Sequence, residues 1–265
     1  MADLVAPLRP SCCRERPLRG GRGLLSHGGA STRPTGEQIR DTVTGMMGTG
    51  FSSGDPWRPA RREMVRAQLV ARGIRDRRVL EAMTSLARER FIPVALQDQA
   101  YADRAVPIGY HQTISQPYIV ARMTEALDVR PGLRILEVGT GCGYQTALLA
   151  LLGARVVSIE RIAELSVVAA RTLADLGIEG PELQVGDGSV GCPSRAPFDR
   201  VIVAAAAPQV PESLIGQIRD GGRMVIPIGR GESQVLVVLR RMGGRVIETP
   251  VLPCRFVKLV GAEAW

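Results

Sequence analysis

From residue 133 onwards, short apolar segments alternate with longer amphipathic ones. The apolar segments read "RILEVG", "RVVSIE", "ELQVGDG", "RVIVAAAA" and "RMVIPIG". Between the second and third lies "ERIAELSVVAARTLADLG", whose apolar positions recur at helical spacing on one face (Ile162, Leu165, Ala169, Leu173 and Leu176). Nearly continuous apolar strands joined by amphipathic helices are typical of a parallel sheet covered on both faces. The pattern predicts an α/β fold.

The segment before this alternation has a different pattern. Val65, Leu69 and Arg72 indicate one helix, and Asp76 is placed to be the N-cap of a second helix with an apolar face. Residues 1–58 are rich in Arg, Gly, Ser and Pro without a sustained period. Such a composition buries too little apolar surface to offset its chain entropy, so we expect a disordered or loosely ordered extension there. One domain should then cover residues 59–265, with a helical part over 59–130 and the sheet over 131–265.

The pattern changes again near the C-terminus. "QVLVVLRRMGGRVIETPVL" predicts a hairpin that turns at Gly243 and Gly244. "RFVKLV", residues 255–260, predicts one more strand.

Composition narrows the classes of protein only partly. The net charge of +8 is carried by arginine, with Lys258 as the single lysine, and a basic chain attracts nucleic acid and acidic peptides alike. No apolar run approaches the roughly 20 residues needed to cross a bilayer, so no membrane association is expected. With five scattered cysteines and two histidines we expect no metal site, no disulfide framework and a cytoplasmic protein.

A glycine-rich loop carries the first sign of chemistry. In "ILEVGTGCGYQTALLA", Gly139, Gly141 and Gly143 follow a strand and precede a helix. Glycines let the backbone approach a ligand closely, and the helix start offers free N–H groups. The loop predicts a nucleotide-type site at the carboxyl end of the first strand of the sheet.

Acidic residues at successive strand ends favour a particular ligand. Glu137 beside the loop would repel a pyrophosphate but suits a cationic ligand with an amino group, as in S-adenosylmethionine. Glu160 is placed to accept hydrogen bonds from both ribose hydroxyls, and Asp187 to meet an adenine amino group. Taken singly, each has a structural alternative: a tight turn for the glycines, a helix-start carboxylate for Glu160 and a turn residue for Asp187.

The fourth predicted strand indicates the acceptor of the methyl group, because no catalytic base or nucleophile follows it. "FDRVIVAAAAP" places alanines after Asp199, without a group suited to deprotonate an amine or activate a carbon. A carboxylate acceptor needs no deprotonation, and its methylation depends chiefly on positioning. In "HQTISQPYIVARM", Ser115 either caps the helix that follows or forms a hydrogen bond to the acceptor carboxylate or to the environment of the reacting methyl group. A role as a covalent nucleophile is not expected.

These residues resemble the protein-L-isoaspartate O-methyltransferase family. The likeness runs from about Arg62 to the C-terminus through "RERFIP", "VPIGYHQTISQPYIVARMTEAL", the glycine loop, "SIERI", "GDG", "APFDRVIVAAAAPQVPESLIGQI", "GGRMVIPIG" and "RFVKLV". It implies a Rossmann-like, seven-stranded S-adenosylmethionine-dependent methyltransferase sheet with N-terminal helices. It also implies methylation of the free α-carboxylate of L-isoaspartyl residues in damaged proteins and peptides, which starts repair through a succinimide.

The resemblance also implies residue roles. It assigns catalysis to Ser115 and cofactor contacts to the loop before the sheet, the glycine loop and two strand ends (Gln112, Thr113, Ile114, Ser115, Glu137, Gly139, Gly141, Gly143, Glu160, Asp187 and Gly188). His111 and Lys258 depart from the family pattern. The expected partners are isoaspartyl proteins and peptides, with no nucleic acid, and the expected state is a monomer. The alternatives are an RNA methyltransferase and a methyltransferase-like module that binds without turnover.

Overall fold

The computed structural model describes residues 54–231 and 233–265. The extension expected over residues 1–58 therefore lies outside the described residues up to residue 53. Residues 54–58 belong to the same compact unit as the remainder, since Asp55 forms an ion pair of 3.2 Å with Arg61 and the Trp57 ring lies 6.2 Å from that of Tyr101. Residues 54–58 thus pack with the described residues that follow them, and the expected boundary at 59 stays a prediction.

A helical segment precedes the sheet. The carboxylate of Asp76 accepts a hydrogen bond of 2.9 Å from the Arg78 N–H, which confirms Asp76 as the N-cap of the second α-helix. The predicted helix around Val65 is present, although its middle is π-helical and its end 3₁₀. The bounds are α1 (Arg58–Glu63), a π-helix (Met64–Leu69), 3₁₀ turns (Val70–Arg72, Arg88–Phe91 and Val94–Gln99) and α2 (Arg77–Ser85).

A small hairpin and a helix connect this segment to the sheet. Strands β1 (Val106–Gly109) and β2 (Gln112–Ile114) pair antiparallel, and α3 (Pro117–Leu127) follows. The alternative that Ser115 caps this helix is wrong. The helix begins at Pro117, whose fixed φ suits a first helical position, so that Gln116 is the N-cap and its side chain does not cap.

The main sheet has seven strands in the order β5-β4-β3-β6-β7-β8-β9. The first five strands in this order run parallel to one another, whereas β8 and β9 are joined to them antiparallel, because a hairpin needs no crossover. The strands are β3 (Arg134–Val138), β4 (Arg155–Glu160), β5 (Glu182–Val185), β6 (Phe198–Val203), β7 (Ile218–Arg230), β8 (Ser233–Met242) and β9 (Arg245–Cys254). The α/β prediction and the five apolar strand segments are confirmed.

Helices cover both faces of this sheet. They are α4 (Tyr144–Leu151), α5 (Ala163–Asp175) and α6 (Glu212–Gly216), with short 3₁₀ turns at Gly188–Val190 and Pro193–Arg195. The predicted face of α5 is confirmed, since Leu165, Ala169 and Leu173 are buried. Buried side chains form one cluster on each side of the central strands. Across the described ranges, no helix combines the length and apolar character that crossing a membrane requires.

The predicted C-terminal hairpin is confirmed, with Gly243 and Gly244 both at positive φ between β8 and β9. The prediction of a further strand at residues 255–260 is wrong. Among the described residues, this segment forms a single bridge, from Lys258 to Ala206 just after β6. At Phe256 its backbone N–H and carbonyl are bonded to the side chain of Gln234 on β8 and not to the backbone of a strand, so no ladder forms.

Candidate active site

A cleft opens at the carboxyl ends of β3, β4, β5 and β6. The empty space in the cleft, including the part open to solvent, is about 910 Å³. Eight of the predicted site residues line it: Gln112, Thr113, Ile114, Ser115, Gly139, Gly141, Glu160 and Gly188. Glu137, Gly143 and Asp187 are not among the lining residues.

The glycine loop connects β3 to α4 as the sequence predicts. All three glycines have positive φ, at 92° for Gly139, 55° for Gly141 and 88° for Gly143, which L-residues rarely adopt. A Cβ on Gly143 would lie 3.2 Å from the Cβ of Ala169 on α5, so this glycine permits close packing and does not itself reach the cleft. The other two present bare backbone to the cleft.

Glu160 ends β4 and is buried at the cleft wall. One carboxylate oxygen accepts a hydrogen bond of 2.9 Å from the Gly141 N–H and the other accepts one of 2.9 Å from the Ile162 N–H. The side chain thus holds the glycine loop to the start of α5. The alternative role of Glu160 as a helix-start carboxylate is therefore part of what it does. Each oxygen keeps a second lone pair, so the same carboxylate remains suited to a pair of ribose hydroxyls.

Glu137 lies in β3 and is fully buried. Burial raises the pKa of its carboxyl to about 7, although the hydrogen bond from the Thr146 hydroxyl lowers it. The Thr146 hydroxyl donates to one oxygen at 2.5 Å, while the other oxygen has no hydrogen-bond partner among the described residues. A buried, incompletely satisfied carboxylate beside a glycine loop would be stabilised by a nearby cation.

Asp187 and Gly188 have separate roles after β5. The Asp187 carboxylate accepts hydrogen bonds from the backbone N–H groups of Ser189 at 2.8 Å and Ala262 at 2.7 Å, and so ties the C-terminal segment to this strand end. Gly188 lines the cleft, and a Cβ there would lie 2.4 Å from the Val138 Cγ1. The glycine is needed for packing, and an adenine contact by Asp187 stays a prediction.

The loop with Ser115 is held in place by a residue that sequence reasoning missed. The Arg88 guanidinium is fully buried and donates hydrogen bonds of 2.7 Å to the backbone carbonyls of Ala100 and Ser115. It also lies 4.9 Å from the centroid of the Tyr144 ring. Among the described residues, the Ser115 hydroxyl forms no hydrogen bond, so it is available to a ligand. The only sequence signal for Arg88 was its place in "RERFIP".

These features fit S-adenosylmethionine. The loop offers backbone at Gly139 and Gly141, and Glu160 offers acceptors at the next strand end. Glu137 does not line the cleft, but its neighbours Val138 and Gly139 do, so its buried carboxylate would act through its charge on the sulfonium and ammonium groups of this ligand.

Comparison with known proteins agrees with this geometry. The model of the family "Protein-L-isoaspartate(D-aspartate) O-methyltransferase (PCMT)" matches residues 60–264. The protein-L-isoaspartate O-methyltransferase of Methanoculleus marisnigri is 51% identical over 211 residues, covering 80% of this chain and 96% of that protein. That of Anaeromyxobacter dehalogenans strain 2CP-C is 56% identical over 190 residues, covering 71% and 91%.

Solved structures show the same fold. A protein-L-isoaspartate O-methyltransferase superposes with a TM-score of 0.68 at 28% identity, covering 77% of this chain and 67% of that one. A putative enzyme of this type from Plasmodium falciparum, in complex with S-adenosyl-L-homocysteine, gives a TM-score of 0.65 at 25% identity, covering 76% and 98%.

Proposed function

Because the chain belongs to the protein-L-isoaspartate(D-aspartate) O-methyltransferase family, and so transfers a methyl group from S-adenosylmethionine to L-isoaspartyl residues, we propose how the cleft residues divide this work. The acceptor is the free α-carboxylate, and its methyl ester starts repair through a succinimide. The cofactor supplies an electrophilic methyl group on a sulfonium centre. We assign its binding to Gly139, Gly141, Glu160 and Gly188 and to the segment Gln112–Ser115, all of which line the cleft. The buried carboxyl of Glu137, which does not line it, acts through its charge.

Ser115 is the proposed catalytic residue. The observation that supports this role is a serine at the cleft wall whose carbonyl is anchored by buried Arg88 and whose hydroxyl is unused among the described residues. An isoaspartyl carboxylate is ionised at neutral pH, so no base is needed. The Ser115 hydroxyl donates a hydrogen bond to one carboxylate oxygen. The other oxygen attacks the methyl group, and the hydrogen bond holds it in the orientation that this attack requires.

Labelled methyl transfer tests the assignment. The substrates are an isoaspartyl peptide, its normal aspartyl twin and RNA, and we expect incorporation only into the first, as a base-labile ester. Ser115→Ala should lower kcat by roughly 10- to 100-fold, as expected for one hydrogen bond to a charged group, with cofactor affinity by calorimetry nearly unchanged. Ser85→Ala, which removes a hydroxyl bonded to the Ala82 carbonyl outside the cleft, is the control. An unchanged kcat in Ser115→Ala would remove Ser115 from the mechanism.

Three further proposals concern the extent of the active domain, its oligomeric state and its location. We propose that the domain of residues 59–265 carries the activity, acts as a monomer in the cytoplasm, and needs neither nucleic acid nor a membrane. An RNA methyltransferase would instead bind RNA with an affinity that falls steeply with salt. A non-catalytic module would take up the cofactor without turnover.

A further inference from the structure

The sheet order gives the cleft two distinct ends. Glu160 and Gly188 follow the neighbouring strands β4 and β5, whereas Ala204 and Ala205 follow β6 on the opposite side of the glycine loop. If the ribose lies at Glu160, as proposed above, the cofactor's nucleoside occupies the β4–β5 end. The acceptor peptide must then enter from the β6 end.

The segment after β9 forms the wall at this β6 end. It is joined to the strand end by hydrogen bonds from the Ala206 N–H to the Val257 carbonyl at 2.8 Å and from the Leu259 N–H to the Ala206 carbonyl at 2.7 Å. Lys258, between them, lines the cleft and is exposed. The single lysine of the chain is therefore located where the peptide enters.

The Lys258 side chain is held by an indole. Its Nζ lies 4.5 Å from the centroid of the Trp265 ring, a cation–π distance, and the Trp265 Nε1–H donates to the Ala206 carbonyl at 3.2 Å. The indole thus fixes the ammonium group at the end of β6 without neutralising it. Over residues 54–231 and 233–265, Lys258 has no ion pair, and Arg230 adds a second positive charge 5.9 Å from the same ring.

We propose that Lys258 is a specificity residue that binds a carboxylate of the substrate peptide, so that isoaspartyl sites flanked by Asp or Glu are preferred. The proposal rests on the function proposed above. An unpaired ammonium at a rim attracts an acidic side chain by Coulomb forces, and because the pair remains in contact with water the effect is moderate. We expect about a three- to tenfold higher kcat/KM for an acidic peptide than for its neutral twin at low salt, decreasing as salt screens the charges.

The test uses the full chain and three isoaspartyl peptides that differ only in the flanking residues, which are Glu, Gln or Lys on both sides. Lys258→Met keeps most of the aliphatic stem and removes the charge. Arg155→Met removes the same charge from an exposed position at the start of β4, the strand end opposite to the cleft, and is the matched control. The readouts are kcat/KM for each peptide at two salt concentrations and KM for S-adenosylmethionine.

The expected result is a Glu-over-Gln preference that falls to about one in Lys258→Met and persists in Arg155→Met. The proposal is overturned if Lys258→Met keeps the wild-type preference, or if the variant raises KM for S-adenosylmethionine equally with all peptides, which would place the ammonium on the cofactor. Methylation of all three peptides at equal rates by the wild type overturns only the role of Lys258. Methylation of none of them overturns the proposed function itself.

Discussion

Replacement of Glu137 by Gln should stabilise the cofactor-free protein at alkaline pH. Burial raises the pKa of this carboxyl from the usual 4.5 to about 7, so between these pH values the folded state holds a proton that the unfolded state has released. Unfolding then releases a proton, and stability falls as pH rises through this window. At about 1.4 kcal/mol per pH unit, the shift in the Glu137 pKa corresponds to a loss of roughly 3 kcal/mol in the free energy of unfolding.

Gln has the size of a protonated Glu, and the Thr146 hydroxyl keeps an acceptor in the variant. Urea unfolding at pH 5, 6, 7 and 8 should therefore show Glu137→Gln close to the wild type at pH 5 and more stable by about 3 kcal/mol at pH 8. Glu179→Gln, which removes an exposed carboxylate, should show no such trend. A stability difference that is the same at pH 5 and pH 8 would refute the reasoning.

The same charge should favour the cofactor. A sulfonium and an ammonium group near Glu137 stabilise its ionised form, so cofactor affinity of the wild type, measured by calorimetry, should rise from pH 6 to pH 8. In Glu137→Gln this rise should be absent.

Two further substitutions test the packing beneath the site. Gly188→Ala places a methyl group 2.4 Å from Val138 Cγ1 on a buried strand and should cost about 1–3 kcal/mol of stability and weaken cofactor binding, as measured by urea unfolding and calorimetry. Arg88→Met leaves two buried carbonyls without their donor and should cost roughly 2–5 kcal/mol, with a loss of kcat because the Ser115 carbonyl is released.

Matched controls exist for both. Gly216→Ala has no atom within 4 Å of the added Cβ, and Arg90→Met changes an exposed side chain of the same motif. A Gly188→Ala protein with wild-type stability would show that β3 shifts to accommodate the added methyl group without loss of stability. An Arg88→Met protein with normal kcat would show that the Ser115 loop keeps its position without the guanidinium.

Local patterns of the sequence determined most of the framework. Strand segments, the amphipathic face of α5, the cap at Asp76 and the turn at Gly243 and Gly244 all depend on residues a few positions apart, so period and turn chemistry predict them. The glycine loop was predictable for the same reason, because its positive φ angles require that residue type.

Contacts between distant residues were decided only by the tertiary structure. Arg88 meets the Ser115 carbonyl 27 positions away, and Asp187 meets the Ala262 N–H 75 positions away. Residues 255–260 have a strand-like pattern but form only one bridge among the described residues, from Lys258 to Ala206 just after β6, and Lys258 lies against the Trp265 ring at the cleft. Periodicity reports which side of an element is buried, whereas the partner of a buried or charged group depends on how the elements pack in three dimensions.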